Sequence, residues 1–111
     1  MVFAENFEDL QIWQRSRVMT NEIYNAFEKY RDLDFRSQIH RASVSVMNNI
    51  AEGFAHFLDL SKGSSGEVRS MLYLAEDRHY IVKSYAERLR SDYKDLSKSI
   101  GALASKLRSQ N

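Results

Sequence analysis

The chain has 111 residues, of which 43% are hydrophobic, and it contains neither cysteine nor proline. This length suits one domain and leaves no room for two separate cores, while the lack of cysteine excludes disulfides, thiolate metal sites and cysteine nucleophiles. The formal net charge of +1 is small for a dedicated nucleic-acid-binding domain.

The chain opens with Met1-Val2-Phe3-Ala4-Glu5-Asn6, a stretch that lacks the positive and apolar regions of a signal peptide. No apolar run approaches the roughly 20 residues that a membrane-spanning helix needs. The sequence therefore predicts a cytoplasmic protein with no membrane partner.

The first two of four amphipathic segments repeat apolar residues at steps of three and four, as helices do. The first is predicted at about residues 7–30, with Asn6 as its cap. The second is predicted at about 34–53. Asp34 would cap its start, and Gly53 would take the left-handed conformation that ends many helices.

The third helix is predicted at about 54–80 and the fourth at about 84–108. Gly63-Ser64-Ser65-Gly66 could be a loop, but the apolar register on both sides agrees and favours one helix whose small residues let a neighbour approach. The register reaches His79, which predicts a histidine at the edge of the core, bonded to a neighbouring helix. Ser84 and Glu87 have the spacing of a capping box.

Four such helices with short connections are predicted to pack as an all-α, antiparallel up-down-up-down four-helix bundle, with residues 1–111 as a single domain. A domain this short gains stability by burying more surface in an oligomer. Aromatic side chains are enriched at interfaces between proteins. We expect at least one of the following to lie between subunits: Phe3, Trp13, Phe54 and Phe57.

Catalytic and metal-binding patterns are nearly missing from the sequence. Glu76 and His79 have the spacing of half a di-iron signature, but no second copy occurs. The serines form no Gly-x-Ser-x-Gly, and residues 63–66 lack the lysine of a phosphate-binding loop. We therefore expect no catalytic activity, no metal, no cofactor and no small-molecule substrate.

Basic residues concentrate in the C-terminal third, where residues 80–111 hold seven basic and three acidic residues, a net charge of +4. In a monomer this would be an ordinary solvated face. In a ring, the copies would form a continuous basic rim that could contact phosphates. The candidate nucleic-acid-binding residues are Arg88, Arg90, Lys94 and Lys98.

A polar stripe borders the apolar face of the second helix, where partly buried polar groups must find hydrogen-bond partners. It is either a ligand or partner site, or a hydrogen-bond network that fixes the register of helices or subunits. The stripe consists of Gln38, Arg41, Ser45, Asn49 and Glu52, and it ends at Gly53.

The run at residues 38–53, in which Arg41-Ala42-x-x-Ser45 precedes Asn49-Ile50-Ala51-Glu52-Gly53, resembles the signature of the 23S rRNA intervening-sequence family of four helix bundle proteins. Phe7-x-x-Leu10-x-x-Trp13-Gln14 is similar to the family's first helix, and Phe57-Leu58, Gly63-Ser64 and Glu67 are similar to its third. The resemblance implies a ring-like homopentamer of bacterial type. A related branch includes the accessory protein of diversity-generating retroelements, which binds nucleic acid and a reverse transcriptase.

Two features depart from the family pattern. A basic, polar stretch usually separates the glycine from the Phe-Leu pair, whereas here Gly53 leads directly into Phe54-Ala55-His56-Phe57-Leu58. Either those residues were deleted in evolution or they are absent from this sequence. The retroelement branch is also more basic. The sequence therefore predicts a non-catalytic homo-oligomeric scaffold that binds RNA, DNA or a nucleic-acid enzyme or, alternatively, a protein-interaction ring with no nucleic-acid role.

Overall fold

A computed structural model describes residues 6–110, which form a short 3-10 helix and four α-helices. The 3-10 helix comprises Phe7–Asp9, and the α-helices comprise Gln11–Phe27 (α1), Leu33–Glu52 (α2), Ala55–Asp77 (α3) and Lys83–Ser109 (α4). No β-strand occurs within these residues, so the all-helical class expected from the composition is confirmed. Met1–Glu5 of the opening stretch, including Phe3, lie outside the described residues.

The first helical segment is divided, because Leu10 has an extended backbone (φ −75°, ψ 125°) between the 3-10 helix and α1. The α-helix therefore begins at Gln11 instead of Phe7 and ends at Phe27 instead of residue 30. Asn6 makes no side-chain capping bond. The ring of Phe7 packs edge-on against Trp13, with 5.0 Å between centroids, and this contact folds the 3-10 helix back onto α1.

The cap of α2 is Asp32, and the expectation that Asp34 would cap it was wrong. Asp32 Oδ1 accepts a hydrogen bond of 3.1 Å from the backbone N–H of Phe35. At the other end Gly53 has φ 82°, which confirms the left-handed position expected there. Since only Phe54 stands between Gly53 and α3, the connection between the two helices is very short.

The third helix runs without interruption through Gly63 and Gly66, as the matching apolar register predicted. It ends at Asp77, earlier than expected, in a Schellman motif: the N–H of Tyr80 bonds to the carbonyl of Ala75 at 2.8 Å, and that of His79 to Glu76 at 3.0 Å. His79 occupies the left-handed position of the motif (φ 60°) and is exposed. Its expected place at the edge of the core was therefore wrong.

The fourth helix begins at Lys83, and its cap position, Val82, provides no side-chain bond. The proposed capping box was wrong, since Ser84 lies inside the helix and is exposed. Glu87 is paired instead with Lys83, which precedes it by one helical turn, with 3.9 Å between Lys83 Nζ and Glu87 Oε1. The apolar residues at steps of three and four along this helix are buried at Leu89, Tyr93, Leu96, Ile100 and Leu107, and Leu103 in the same register is half-buried.

The core lies along the axis between the four helices, which extend over 46 × 19 × 19 Å. Buried serines link neighbouring helices through the core: Ser61 Oγ donates to the carbonyl of Val46 at 2.7 Å, and Ser65 Oγ to that of Tyr93 at 3.1 Å. Within residues 6–110, no helix is both long enough and apolar enough to cross a membrane.

Candidate functional site

The four basic residues proposed for nucleic-acid contact are not on one surface of α4. Lys94 and Lys98 are exposed. Arg90 points toward α3, where it pairs with Glu76, and Arg88 points toward α1, where it pairs with Glu22. The spacing along α4 placed these residues near one another in sequence but did not show which neighbouring helix each would meet.

Arg90 is held on two sides by residues of α3. Its Nη2 lies 3.0 Å from Oε1 of Glu76, and the two side chains are only 12% and 23% exposed. Its guanidinium lies over the ring of Tyr73, 3.9 Å from the centroid, at a distance typical of cation–π contact. Arg90 is thus fixed in position, and part of its charge is balanced.

Arg88 belongs to the contact between α1 and α4. It pairs with Glu22 and also donates to Oδ2 of Asp92 at 2.9 Å. The hydrogen bond to Glu22 raises the pKa of the Arg88 guanidinium above its ordinary value. With two carboxylates beside it, Arg88 contributes little net positive charge to the surface.

A groove of about 790 Å³ runs between α3 and α4, and it gathers residues that the sequence did not connect. We call it the α3–α4 groove. It is lined by Gly66, Arg69, Ser70, Tyr73, Glu87, Arg90, Ser91 and Lys94. Arg69 was missed because α3 has only one other lysine or arginine, Lys62, two turns earlier, and two such residues do not form a basic cluster in the sequence. Placing α3 beside α4 in the predicted bundle would have brought Arg69 close to the basic residues of α4.

Cations continue along the same side of the molecule beyond the groove. Lys62 of α3 lies against Gly101 of α4, with Nζ 3.0 Å from where a Cβ on Gly101 would be. Lys98 follows Lys94 by one helical turn and is exposed. We call this the α3–α4 face: its five cations are Lys62, Arg69, Arg90, Lys94 and Lys98, and the carboxylates of Asp59, Glu76 and Glu87 lie near them.

Two donors of the groove lack an acceptor among the described residues: Nε of Arg69 and Nη1 of Arg90. Both atoms are covered by protein, and a covered donor without an acceptor is unfavourable. An anion bound in the groove would place acceptors beside both guanidinium groups. The serine hydroxyls of Ser70 and Ser91 line the same groove and could donate to the anion as well.

The polar stripe of α2 is divided between a helix contact and solvent. In its middle, Ser45 Oγ lies 2.8 Å from Ser64 Oγ of α3, and Asn49 Nδ2 donates to Ser45 Oγ at 3.0 Å. This network supports a role in fixing the register of α2 against α3. Gln38, Arg41 and Glu52 are exposed and remain available to a partner, while Gly53 is buried at the end of the helix.

Glu76 and His79, which have the spacing of half a di-iron signature, do not form a metal site in the structure. Glu76 pairs with Arg90, and His79 is exposed in the turn after α3. Within residues 6–110, no three side chains of His, Asp or Glu are grouped as metal ligands would be.

The aromatic residues expected at a subunit contact differ in exposure. Phe54 is exposed, whereas Trp13 and Phe57 are half-buried. Phe54 and Phe57 lie beside each other, with ring centroids 6.4 Å apart, at the junction of α2 and α3. That one of these aromatic residues lies between subunits therefore remains a prediction. Among the described ones, Phe54 is the best candidate because it is the most exposed.

The family model described as 23S rRNA-intervening sequence protein matches residues 8–102, which include α1, α2, α3 and most of α4. No curated protein matches the chain significantly.

Proposed function

Because the chain belongs to the 23S rRNA-intervening sequence protein family, we propose that it is a non-catalytic, homo-oligomeric scaffold that binds nucleic acid through its α3–α4 face. The family's name hints at an rRNA-related role. The observation that carries the proposal is the row of five cations on this face. Of its carboxylates, Glu76 pairs with Arg90 and Asp59 with Arg108, while Glu87 is only weakly paired with the exposed Lys83.

The binding would be electrostatic. Lys94 and Lys98 are exposed and make no ion pair within the described residues, so their charges are free to meet phosphates. Each phosphate that a lysine neutralises releases counterions, which makes the affinity fall as salt rises. Copies of the face in an oligomer would multiply the number of contacts along one nucleic acid chain.

We propose further that the helices run antiparallel in up-down-up-down order and that five copies form a ring. Contacts along α1 and α2 support opposite directions, since Thr20 bonds to the carbonyl of Ser43 and Phe27 packs on Phe35. The number five rests on the family resemblance. Two exposed leucines, Leu60 and Leu74, support a subunit contact because 14 residues make about four helical turns and place both on one side of α3.

A protein-interaction ring without a nucleic-acid role is the second candidate. It is favoured by the same two leucines together with the exposed ends of the polar stripe, Gln38, Arg41 and Glu52. Protein contacts combine exposed apolar side chains with polar ones. This candidate predicts capture of a protein partner and indifference to nucleic acid.

The test is fluorescence anisotropy with a labelled RNA hairpin and a DNA duplex, at low and at physiological salt. We expect binding that weakens with salt and a Lys94→Glu/Lys98→Glu variant that binds at least tenfold more weakly at low salt, since two favourable phosphate contacts become repulsive. The matched control is Lys29→Glu/Arg31→Glu, which changes the net charge equally at two exposed residues between α1 and α2.

The control pair should bind nearly as well as the unchanged protein. Equal loss in both double variants would mean that net charge, and not the α3–α4 face, governs binding. No binding by the unchanged protein even at low salt would overturn the nucleic-acid proposal and leave the protein-interaction ring.

A further inference from the structure

We propose that the α3–α4 groove seats one nucleotide of a single-stranded nucleic acid, with its phosphate on Arg69, Arg90 and Lys94 and its base stacked on Tyr73. This inference rests on the proposed function and makes it more specific, because a stacking site requires a base that is free of its own duplex. It also brings in Arg69 and Tyr73, which the sequence pattern did not indicate.

The phosphate end of the seat is built from three cations on two helices. Arg69 comes from α3, and Arg90 and Lys94 come from α4, so an anion between them would contact both walls of the groove. Arg69 Nε and Arg90 Nη1 have no acceptor among residues 6–110. Guanidinium groups suit phosphate because their parallel N–H bonds match two of its oxygens.

The stacking end of the seat is the ring of Tyr73. The Arg90 guanidinium lies 3.9 Å from the centroid of this ring, yet Tyr73 is still 58% exposed, so much of the side chain is open to solvent. An exposed aromatic ring beside a row of cations is the combination that single-strand-binding proteins use. Since Glu76 holds Arg90 in place, the ring and the cation have a fixed relation before any ligand arrives.

Glu87 opposes this arrangement, because it lines the same groove and carries a negative charge. Its partner Lys83 is 3.9 Å away, and both side chains are exposed, which makes the pair weak. The seat therefore predicts that removing this carboxylate strengthens binding, an effect that a role for Glu87 in folding alone would not produce.

The experiment measures anisotropy with oligouridine and oligothymidine of about eight nucleotides, the length that one small module covers, beside a hairpin duplex with the same number of phosphates. Tyr73→Leu should weaken single-strand binding about tenfold and change duplex binding little, as expected for one lost stacking contact. Tyr73→Phe keeps the ring and should restore single-strand binding. Arg69→Gln should weaken both single-strand and duplex binding and should lower the salt dependence by about one phosphate contact. Glu87→Gln should strengthen binding of both nucleic acids.

Tyr24→Leu is the matched control, because Tyr24 is an exposed tyrosine on α1, outside the groove. It should bind like the unchanged protein, and circular dichroism should show each variant to be helical. The seat is overturned if Tyr73→Leu weakens duplex and single strand equally or leaves both unchanged. Either of these results would leave the proposed function intact, provided that the unchanged protein still binds in a salt-dependent way. If the unchanged protein bound no nucleic acid at all, the proposed function itself would be overturned. Tighter binding of the uridine probe would indicate RNA as the source of the nucleotide, tighter binding of the thymidine probe would indicate DNA, and equal binding would mean that the seat accepts both.

Discussion

At the level of single residues, Asp32 connects three parts of the chain. One carboxylate oxygen caps α2 at Phe35, and the other accepts a hydrogen bond of 2.8 Å from the hydroxyl of Tyr80, in the turn between α3 and α4. The hydroxyl of Tyr30 in turn bonds to the carbonyl of Tyr80. Asp32 therefore links the start of α2 to the turn that follows α3. Because both of its oxygens accept hydrogen bonds, the ionised carboxylate is the form that these contacts favour.

The pKa of Asp32 is accordingly held below its ordinary value of 3.8, chiefly by the Phe35 N–H and next by the Tyr80 hydroxyl. The unfolded chain takes up a proton first as pH falls, so the stabilisation is present above 3.8 and is lost as pH falls through the folded pKa. We expect Asp32→Asn, which can still cap the helix, to lower stability near pH 6 and to flatten the decline in stability between about pH 5 and pH 2.

Thermal unfolding followed by circular dichroism across this pH range measures the effect. Asp34→Asn is the matched control, since it removes the same charge two residues later, on an exposed side chain inside α2. If Asp34→Asn flattened the pH dependence as much as Asp32→Asn, the contacts of Asp32 would not be the cause.

The sequence could not choose between Asp32 and Asp34 as the cap, because either residue can cap a helix that starts after a polar turn. The choice depends on Tyr80, a partner far away in the chain. The same reason explains His79: its apolar register matched α3, but the Schellman motif closes the helix first. Local patterns fix which residues are apolar, while tertiary partners fix where a helix ends.

At the level of elements, Gly63 of α3 occupies a position where nothing within the described chain requires a glycine. A Cβ built on Gly63 meets nothing within 4 Å among the described residues. The expected close approach of a neighbouring helix is therefore made at Ser61, Ser64 and Ser65, which bond to α2 or α4, and not at Gly63. Gly63 is exposed inside a long helix, where glycine is the less stable choice.

We expect Gly63→Ala to raise the free energy of unfolding by about 1 kcal/mol, the difference in helix propensity between the two residues. Gly53→Ala is the contrasting variant: at φ 82° a Cβ is strained, so stability should fall by about 1–2 kcal/mol. Urea unfolding measures both. A loss of stability in Gly63→Ala would contradict the expectation for the single chain and would indicate that another subunit packs against this glycine.

Most of the apolar seams could be read from the sequence, because heptad-like spacing survives in any register of a bundle. The two-sided site could not. Arg69 and Arg90 meet only because α3 and α4 lie side by side in one particular rotation, and nothing in either segment alone specifies that rotation. The basic cluster was therefore predicted on α4 alone, whereas the structure shares it between α3 and α4.

At the level of the whole molecule, the exposed apolar residues bear on assembly. Leu60 and Leu74 are 45% and 46% exposed on one side of α3, and Phe54 is 40% exposed at the preceding junction. The α3–α4 face carries cations that would repel one another if copies met there. In the proposed homo-oligomer, contact through the leucine side would bury the most apolar surface and would leave the α3–α4 face exposed.

We expect this geometry to make the thermal midpoint rise with protein concentration, since association stabilises only the folded chain. Leu60→Lys/Leu74→Lys should lower the mass measured by light scattering and abolish the concentration dependence, because two charges would be buried without partners. Val18→Lys is the control, as it places a lysine at a 62% exposed valine on α1. If Val18→Lys dissociates the oligomer and the leucine variant does not, the contact lies along α1, and the α3–α4 face would then have to be reached from a different side of the assembly.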